Sequence, residues 1–256
     1  MTREFTPQVQ RIAAGLILEA GSGLHSVIRE AGITCEVCAT PLTPDLGYRR
    51  CFQCQGHPRA GLSLANRVGA LVYAIEGDSQ IYKIVQNYKA PAYDETNLPR
   101  LMSAMLALGL RAHYSCARRL AGFDHQGWAV VPSTKGRSKL RELVLGIGAP
   151  AAQEVPISFI GPGGGRSLRP ELWAIGEDAI VPPHVVVVDD SWVTGSNAQS
   201  VAAMLRAAGA EQISIFTAAR VMRSDYGPNP EFIRSRLAGD SFNWERCPWT
   251  GADCPD

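Results

Sequence analysis

No apolar run in this chain approaches the length needed to cross a bilayer. Neither sign of charge is in excess: 25 Lys and Arg stand against 24 Asp and Glu. The global electrostatic footprint of a nucleic-acid binder is therefore missing. A signal peptide is not expected either, since Glu4 stands near the start and the best apolar run there, Gly15-Leu16-Ile17-Leu18, is cut by Glu19. An even cysteine framework is also lacking. The seven cysteines are odd in number and four of them form two CxxC pairs, which points to metal binding in a reducing cytoplasm rather than to disulfides. Internal repeats are absent. What remains is a 256-residue chain of ordinary globular composition, 46% hydrophobic and 19% charged. That is enough for one medium α/β domain and a small accessory module.

The most informative stretch runs from Val185 to Asn197. Four consecutive valines, Val185 to Val188, suit a strand buried on both faces, as in a parallel sheet. Asp189 and Asp190 follow where the strand is expected to leave the sheet. Thr194-Gly195-Ser196-Asn197 then opens a helix of apolar and small residues, with Ser196 or Asn197 as its cap. Strand, tight loop and helix together aim backbone N–H groups and a helix N-terminus at an anion, outside the carboxyl end of the strand. Paired carboxylates accept hydrogen bonds from vicinal hydroxyls, and the loop offers donors to a phosphate. Side by side they fit a sugar phosphate. A helix cap alone would leave two adjacent carboxylates at the end of a buried strand without a use.

The other elements read in order. Residues 7–31 show helical spacing at Val9, Ile12, Leu16, Ile17 and Ala20, with Gly21-Ser22-Gly23 as a break. Cys35, Cys38, Cys51 and Cys54 form two CxxC knuckles twelve residues apart, a zinc ribbon with four soft ligands for one tetrahedral, closed and therefore structural Zn²⁺. His57 beyond them reads as a surface residue. Arg49, Arg50, Arg59 and Arg67 give this module a mild basic bias. Gly69–Ile75 reads as a strand, Ser79–Tyr88 as a helix with Ile81, Ile84 and Val85 inward, and Leu98–Leu120 as one long helix containing Cys116 as an ordinary core cysteine. Trp128–Val131 reads as a buried strand. It runs into Ser133-Thr134-Lys135-Gly136-Arg137, a second anion-type loop. Leu140–Ile147 continues as a helix and Val155–Ile160 as a short strand. The Gly-rich segment from Gly161 to Pro170 carries Arg166 and Arg169, candidates for a mobile loop closing over a phosphorylated substrate. Gln212–Val221 is the next strand. Cys247 and Cys254, six residues apart, stay unassigned between a second metal pair and a disulfide.

Four apolar residues, two acidic residues and a Thr-Gly loop resemble the phosphoribosyl-pyrophosphate (PRPP) motif of type I phosphoribosyltransferases. Preceded by a cysteine quartet, the chain from Cys35 to Val221 is similar to the ComF-type family of double-zinc-ribbon phosphoribosyltransferases. The Tyr88-Lys89 region and the Val131-Pro132 loop are further anchors of the likeness. The resemblance implies an open, mainly parallel α/β sheet preceded by the small four-cysteine ribbon, with a hood near the acceptor site. It divides the chain into an N-terminal helical segment 1–31, a ribbon 32–60, a phosphoribosyltransferase-like domain 66–225 and a C-terminal extension 226–256. It implies Mg²⁺-PRPP as substrate, transfer of the phosphoribosyl group to a nucleophile (nitrogen is expected), and release of pyrophosphate. Thr194, Gly195, Ser196 and Asn197 would hold the 5′-phosphate and Asp189 and Asp190 the ribose hydroxyls. Ser133 and Thr134 would hold the pyrophosphate, with Lys135 and Arg137 countering its charge. Two positions depart from the family pattern. Asn197 replaces a Thr, and Val193 stands where hypoxanthine-guanine enzymes carry an aspartate base, which argues against that purine salvage. An alternative expectation is a PRPP-sensing or nucleic-acid-binding factor that keeps the fold without turnover.

Overall fold

The structure is a computed structural model that describes residues 5–44, 46–77, 79–162 and 167–256. The helices are α1 (Pro7–Ala20), α2 (Phe52–Gly56), α3 (Gln80–Asn87), α4 (Leu98–Leu106), α5 (Tyr114–Ala121), α6 (Lys139–Gly146), α7 (Ser196–Ala207) and α8 (Asn229–Phe232). The strands are β1 (His25–Ser26), β2 (Arg67–Ile75), β3 (Gly127–Val130), β4 (Ile157–Phe159), β5 (Trp173–Ile175), β6 (His184–Trp192) and β7 (Gln212–Met222). Among the described residues the main sheet has five strands in the order β1-β2-β7-β6-β3. Its pairs are parallel except for the short edge strand β1, which runs antiparallel to β2. No described helix is long and apolar enough to span a membrane.

The valine run explains why β6 lies inside the sheet. Val185 to Val188 are all buried, and they alternate between the two faces. Val186 and Val188 pack with α3, α4 and α6 in one cluster. Val185 and Val187 pack with Val201, Ala202 and Leu205 of α7 in the other. The helix that follows β3 thus covers one face and the helix that follows β6 covers the other. Neighbouring strands whose connections leave to opposite faces open a crevice at their carboxyl ends.

Several elements differ from expectation. The first helix stops at Ala20, at the expected glycine break, where Gly21 takes a positive φ of 56°, and 24–31 form no further helix. Its buried face is Val9, Ala13, Leu16 and Ala20, while Ile17 is exposed. The long helix over 98–120 is broken. After α4 the residues Ala107–Arg111 widen into a π-helix, His113 leaves helical geometry at φ −120°, and α5 begins at Tyr114. The widened turn lies over β7 with Gly109 against the Phe216 ring, where an added Cβ would stand 2.0 Å from Cζ. The strand at 157–159 does not join the main sheet; β4 and β5 form a separate antiparallel hairpin. It is tethered by the Val155 N–H to the Trp128 carbonyl at 2.8 Å.

The ribbon and the C-terminal segment pack directly on the sheet domain. Cys35, Cys38, Leu42 and Cys54 share a core cluster with Val68 and the α7 face, whereas Cys247 and Trp249 belong to the opposite cluster. The buried Arg29 guanidinium donates to the carbonyls of Val37 and Val68, stitching the cysteine loop to β2.

Candidate functional site

Strand β3 ends at Val130, opposite Val188, and the Val131 N–H makes a final bond to the Val188 carbonyl at 2.9 Å. Strand β6 runs on to Trp192, still paired with β7 through Asp189–Thr217 and Ser191–Ala219. The two aspartates therefore lie within the strand rather than beyond it, on the stretch that has outrun β3. A cavity of about 690 Å³ opens there. It is lined by the loop after β3 (Ser133, Thr134, Gly136, Arg137), the loop after β6 (Val193 to Asn197), Asp189, Asp190, Tyr88, Lys89, and Ile157 to Phe159 of β4.

The two carboxylates have different surroundings. Asp190 is buried and its oxygens are already engaged. Oδ2 accepts the Tyr88 hydroxyl at 3.0 Å and pairs with Lys89 Nζ at 2.5 Å, and Oδ1 accepts the Ser191 hydroxyl at 2.8 Å. The carboxylate beside it, together with burial, pushes the Tyr88 phenol far above its ordinary range, so it stays a donor. Asp189 is half-buried and, among the described residues, accepts only the N–H of Asp190, at 2.9 Å on Oδ1. Desolvation first, and the neighbouring Asp190 charge second, push its pKa up to about 8, with Lys89 opposing. Asp189 is thus the carboxylate with acceptor capacity to spare and a need for donors.

The phosphate-type loop is held in a shape that requires glycine. Gly195 has a φ of +78°, and a Cβ there would stand 2.1 Å from the Trp192 indole. Gly195, not Ser196 or Asn197, occupies the N-cap position of α7, and the Thr194 hydroxyl accepts the Ser196 N–H at a long 3.5 Å. The Ser196 hydroxyl instead lies 3.1 Å from the Thr194 hydroxyl. From behind, the buried Arg220 guanidinium donates to the carbonyls of Trp192 at 2.8 Å and Val193 at 3.2 Å. Donors on carbonyl oxygens add no negative charge there, so the positive end of the helix faces the cavity with no carboxylate in its first turn.

The fold brings together most residues singled out in the sequence: Asp189, Asp190, Thr194, Gly195, Ser196, Asn197, Ser133, Thr134 and Arg137 all line the one cavity. Lys135 does not. It is exposed, with its N–H bonded to Ser133 Oγ at 3.2 Å. Arg169 stands apart as well, its N–H on Ser200 Oγ and its guanidinium on Glu171. Arg166 lies outside the described residues. Lys89 and Arg220 were missed as site residues. Lys89 lay in a region that anchored the likeness but was given no role at the site, and an arginine inside a strand carries no motif, although a charged residue amid the apolar run of β7 was a signal for Arg220.

The cysteines divide into two groups. In each, the ligand atoms lie within 4.8 Å of one another, so either group could hold a metal ion. The first is Cys35, Cys38, Cys51 and Cys54, with Cys38 and Cys51 sulfurs 3.7 Å apart. The donor set fits zinc: four soft sulfurs, three of the cysteines buried, are costly to gather unless a cation neutralises their thiolates. The second is His113, Cys116, Cys247 and Cys254; Cys116 lies in the core as expected, beside three other possible ligands. His57 is buried rather than on the surface, and its Nε2 finds no partner. The arginines that give the ribbon its basic bias are partly engaged, the side chain of Arg59 lying outside the described residues. Arg49 and Arg50 both pair with Glu36, and Arg67 donates to Ser214 and to the Leu120 carbonyl.

No protein-family model matches the chain, and a search of the curated proteins finds no match.

Proposed function

We propose that the cavity binds Mg²⁺-PRPP and that the chain is a phosphoribosyltransferase of the type I kind, related to the ComF-type proteins. The observation that carries the reading is the convergence of two anion-type loops on a desolvated carboxylate at one crevice. The 5′-phosphate rests on the loop 194–197 and the N-terminus of α7. The ribose hydroxyls donate to Asp189, whose spare acceptor capacity suits them, while Lys89 and Tyr88 keep Asp190 rigid beside it. The pyrophosphate lies toward Ser133, Thr134 and Arg137, and Lys135 reaches it only by moving inward. Mg²⁺ arrives with the substrate, coordinated mainly by phosphate, hydroxyl and water oxygens, and supplies charge neutralisation for the leaving group.

In the reaction the nucleophile forms a bond to C1 of the ribose and the C1–O bond to pyrophosphate breaks. Pyrophosphate departs with the electron pair. The protein's part is positioning and stabilisation of the charge that develops on the leaving oxygens. Val193 at the cavity wall accepts no proton, so the nucleophile must be one that loses its proton to solvent or is already basic. The β4 wall of Ile157, Ser158 and Phe159 is the side from which an acceptor would approach.

The test is calorimetric titration of PRPP and of ribose 5-phosphate, with thermal melts as the folding control. Asp189→Asn removes the acceptor for the ribose hydroxyls, worth about 1.5–3 kcal/mol or about tenfold to a hundredfold in affinity, while Asp190→Asn acts through the loss of its Lys89 pair. Thr194→Val should weaken both ligands alike. Unchanged PRPP affinity in a folded Asp189→Asn, Asp190→Asn protein ends the reading. Pyrophosphate release against a panel of bases and amines separates a transferase from a PRPP sensor. Tight, salt-sensitive nucleic-acid binding without turnover would favour the nucleic-acid factor.

A further inference from the structure

The segment after β7 packs Phe232 and Leu237 against Tyr73 and Met222 and continues as an irregular tail that meets His113 through the Trp244 carbonyl and Arg119 of α5 through the Pro255 carbonyl. Its Trp249 indole lies against Gly69, where an added Cβ would meet Cε3 at 2.9 Å, and stands 6.0 Å from the Phe216 ring. The tail closes on itself through a turn, with the Cys247 N–H on the Ala252 carbonyl and the Gly251 N–H on the Cys247 carbonyl, both at 2.8 Å. That turn brings Cys247 and Cys254 to one point. The π-helix and the break at His113 bring His113 and Cys116 to the same point from the other side.

The geometry there is that of a coordination shell. His113 Nδ1 lies 3.3 Å from Cys254 Sγ and 3.9 Å from Cys116 Sγ. Zinc–sulfur bonds of about 2.3 Å give a tetrahedron whose edges are roughly 3.8 Å. The far ring nitrogen, Nε2, faces the Trp244 carbonyl at 3.2 Å. A carbonyl can only accept, so Nε2 carries the proton and Nδ1 turns its lone pair to the three sulfurs. An outer hydrogen bond that sets the ring's tautomer and direction is what metal-bound histidines carry. His113, Cys116 and Cys247 are fully buried and Cys254 is half-buried. The Phe5 ring packs edge-on against both His113 and Trp244. Water has little access, so the site is closed rather than catalytic. No disulfide joins the described cysteines.

We infer that His113, Cys116, Cys247 and Cys254 bind a second structural zinc ion, which pins the C-terminal segment to the broken helix over the sheet. Binding forms one Zn–N and three Zn–S bonds and releases the three thiol protons to solvent. The inference is independent of the phosphoribosyl reading. The tail so held also braces the first group, because Gly251 packs against the Arg29 side chain that reaches the loop of Cys35 and Cys38.

The test is elemental analysis of the full-length protein purified under reducing conditions without chelator. Two zinc ions per chain are expected, falling to one in Cys247→Ser with Cys254→Ser. His113→Cys, which offers a fourth sulfur, should keep two. In case the double variant does not fold, the wild-type protein is also treated with N-ethylmaleimide under native conditions, and modified cysteines are read by mass spectrometry. Cys116, Cys247 and Cys254 should be protected and become reactive together when a zinc chelator is added. One zinc or none in the wild-type protein overturns the inference. So does retention of both ions in a folded double variant, a Cys247–Cys254 disulfide peptide, or protection of the three cysteines that a chelator leaves unchanged.

Discussion

At the carboxyl ends of β3 and β6 polar groups are gathered and left partly unused, whereas in the two cysteine groups the ligand atoms converge on one another. Asp189 keeps acceptor capacity, and the first turn of α7 carries no acidic residue. The cysteine groups are mostly buried, and the second has its histidine fixed from outside by a carbonyl. An open, under-satisfied cluster is costly to the fold and invites a ligand. A closed, self-satisfied one stabilises the fold and excludes ligands other than the ion that completes it.

If that contrast is right, metal removal should have the largest effect on stability and ligand-site changes smaller ones. Stripping zinc from the four-cysteine group should release the ribbon from the sheet and lower the melting temperature by about 10 °C or more. Differential scanning calorimetry with and without chelator checks this, and an unchanged melt would break the comparison. Next in size is Lys89→Met, which leaves the buried Asp190 without its cation. Breaking a buried pair costs about 3–5 kcal/mol. Because the Lys89 side chain is 30% exposed, a loss of about 2 kcal/mol is expected in urea unfolding. Adding Asp190→Asn should recover part of it.

Gly195→Ala comes third. It meets both a positive φ and the Trp192 ring, and should cost about 1–3 kcal/mol while weakening phosphate binding. Gly209→Ala is the control. Its φ of +104° is equally unsuited to a side chain, but nothing lies within 4 Å of the added Cβ, so it should leave ligand affinity alone.

The most diagnostic effect concerns Asp189. Its folded pKa is raised from 3.8 to about 8 by burial and by Asp190. The folded protein therefore holds a proton that the unfolded chain has released. The stability linked to this group is fully present below about pH 4 and is lost as pH rises through about 8. Asp189→Asn should flatten this slope and make the unliganded protein more stable than wild type at pH 8. Urea unfolding between pH 5 and 8.5 measures it. An identical slope in the variant would show that Asp189 is not held under strain by its surroundings.

The legibility of the two regions differs for a geometric reason. The four-cysteine group comes from two knuckles close in sequence, so spacing alone revealed it. The second group joins residues of a broken helix to a tail more than a hundred residues later, and its CxxxxxxC spacing is looser than any knuckle. His113 and Cys116 sit three residues apart, but within a run that reads as continuous helix. Only the packing of Gly109 against Phe216 accounts for the widened turn that redirects them.

The same division holds at the cavity. Local chemistry was sufficient for the buried valine strand, the acidic pair, the Thr-Gly loop, the Ser79-capped helix and the cysteine knuckles, because each depends on neighbours within a few residues. Tertiary structure alone decided that β6 outruns β3 and that α6 and α7 cover opposite faces. It decided that Lys89 and Tyr88 saturate Asp190 while Asp189 remains in want of donors, and that Arg220 grips the loop from beneath. Those outcomes depend on strand order and on which face each crossover takes. Contacts between residues about a hundred positions apart leave no periodicity in the chain, and burial, which sets the charge state of Asp189, exists only once the layers have closed over it.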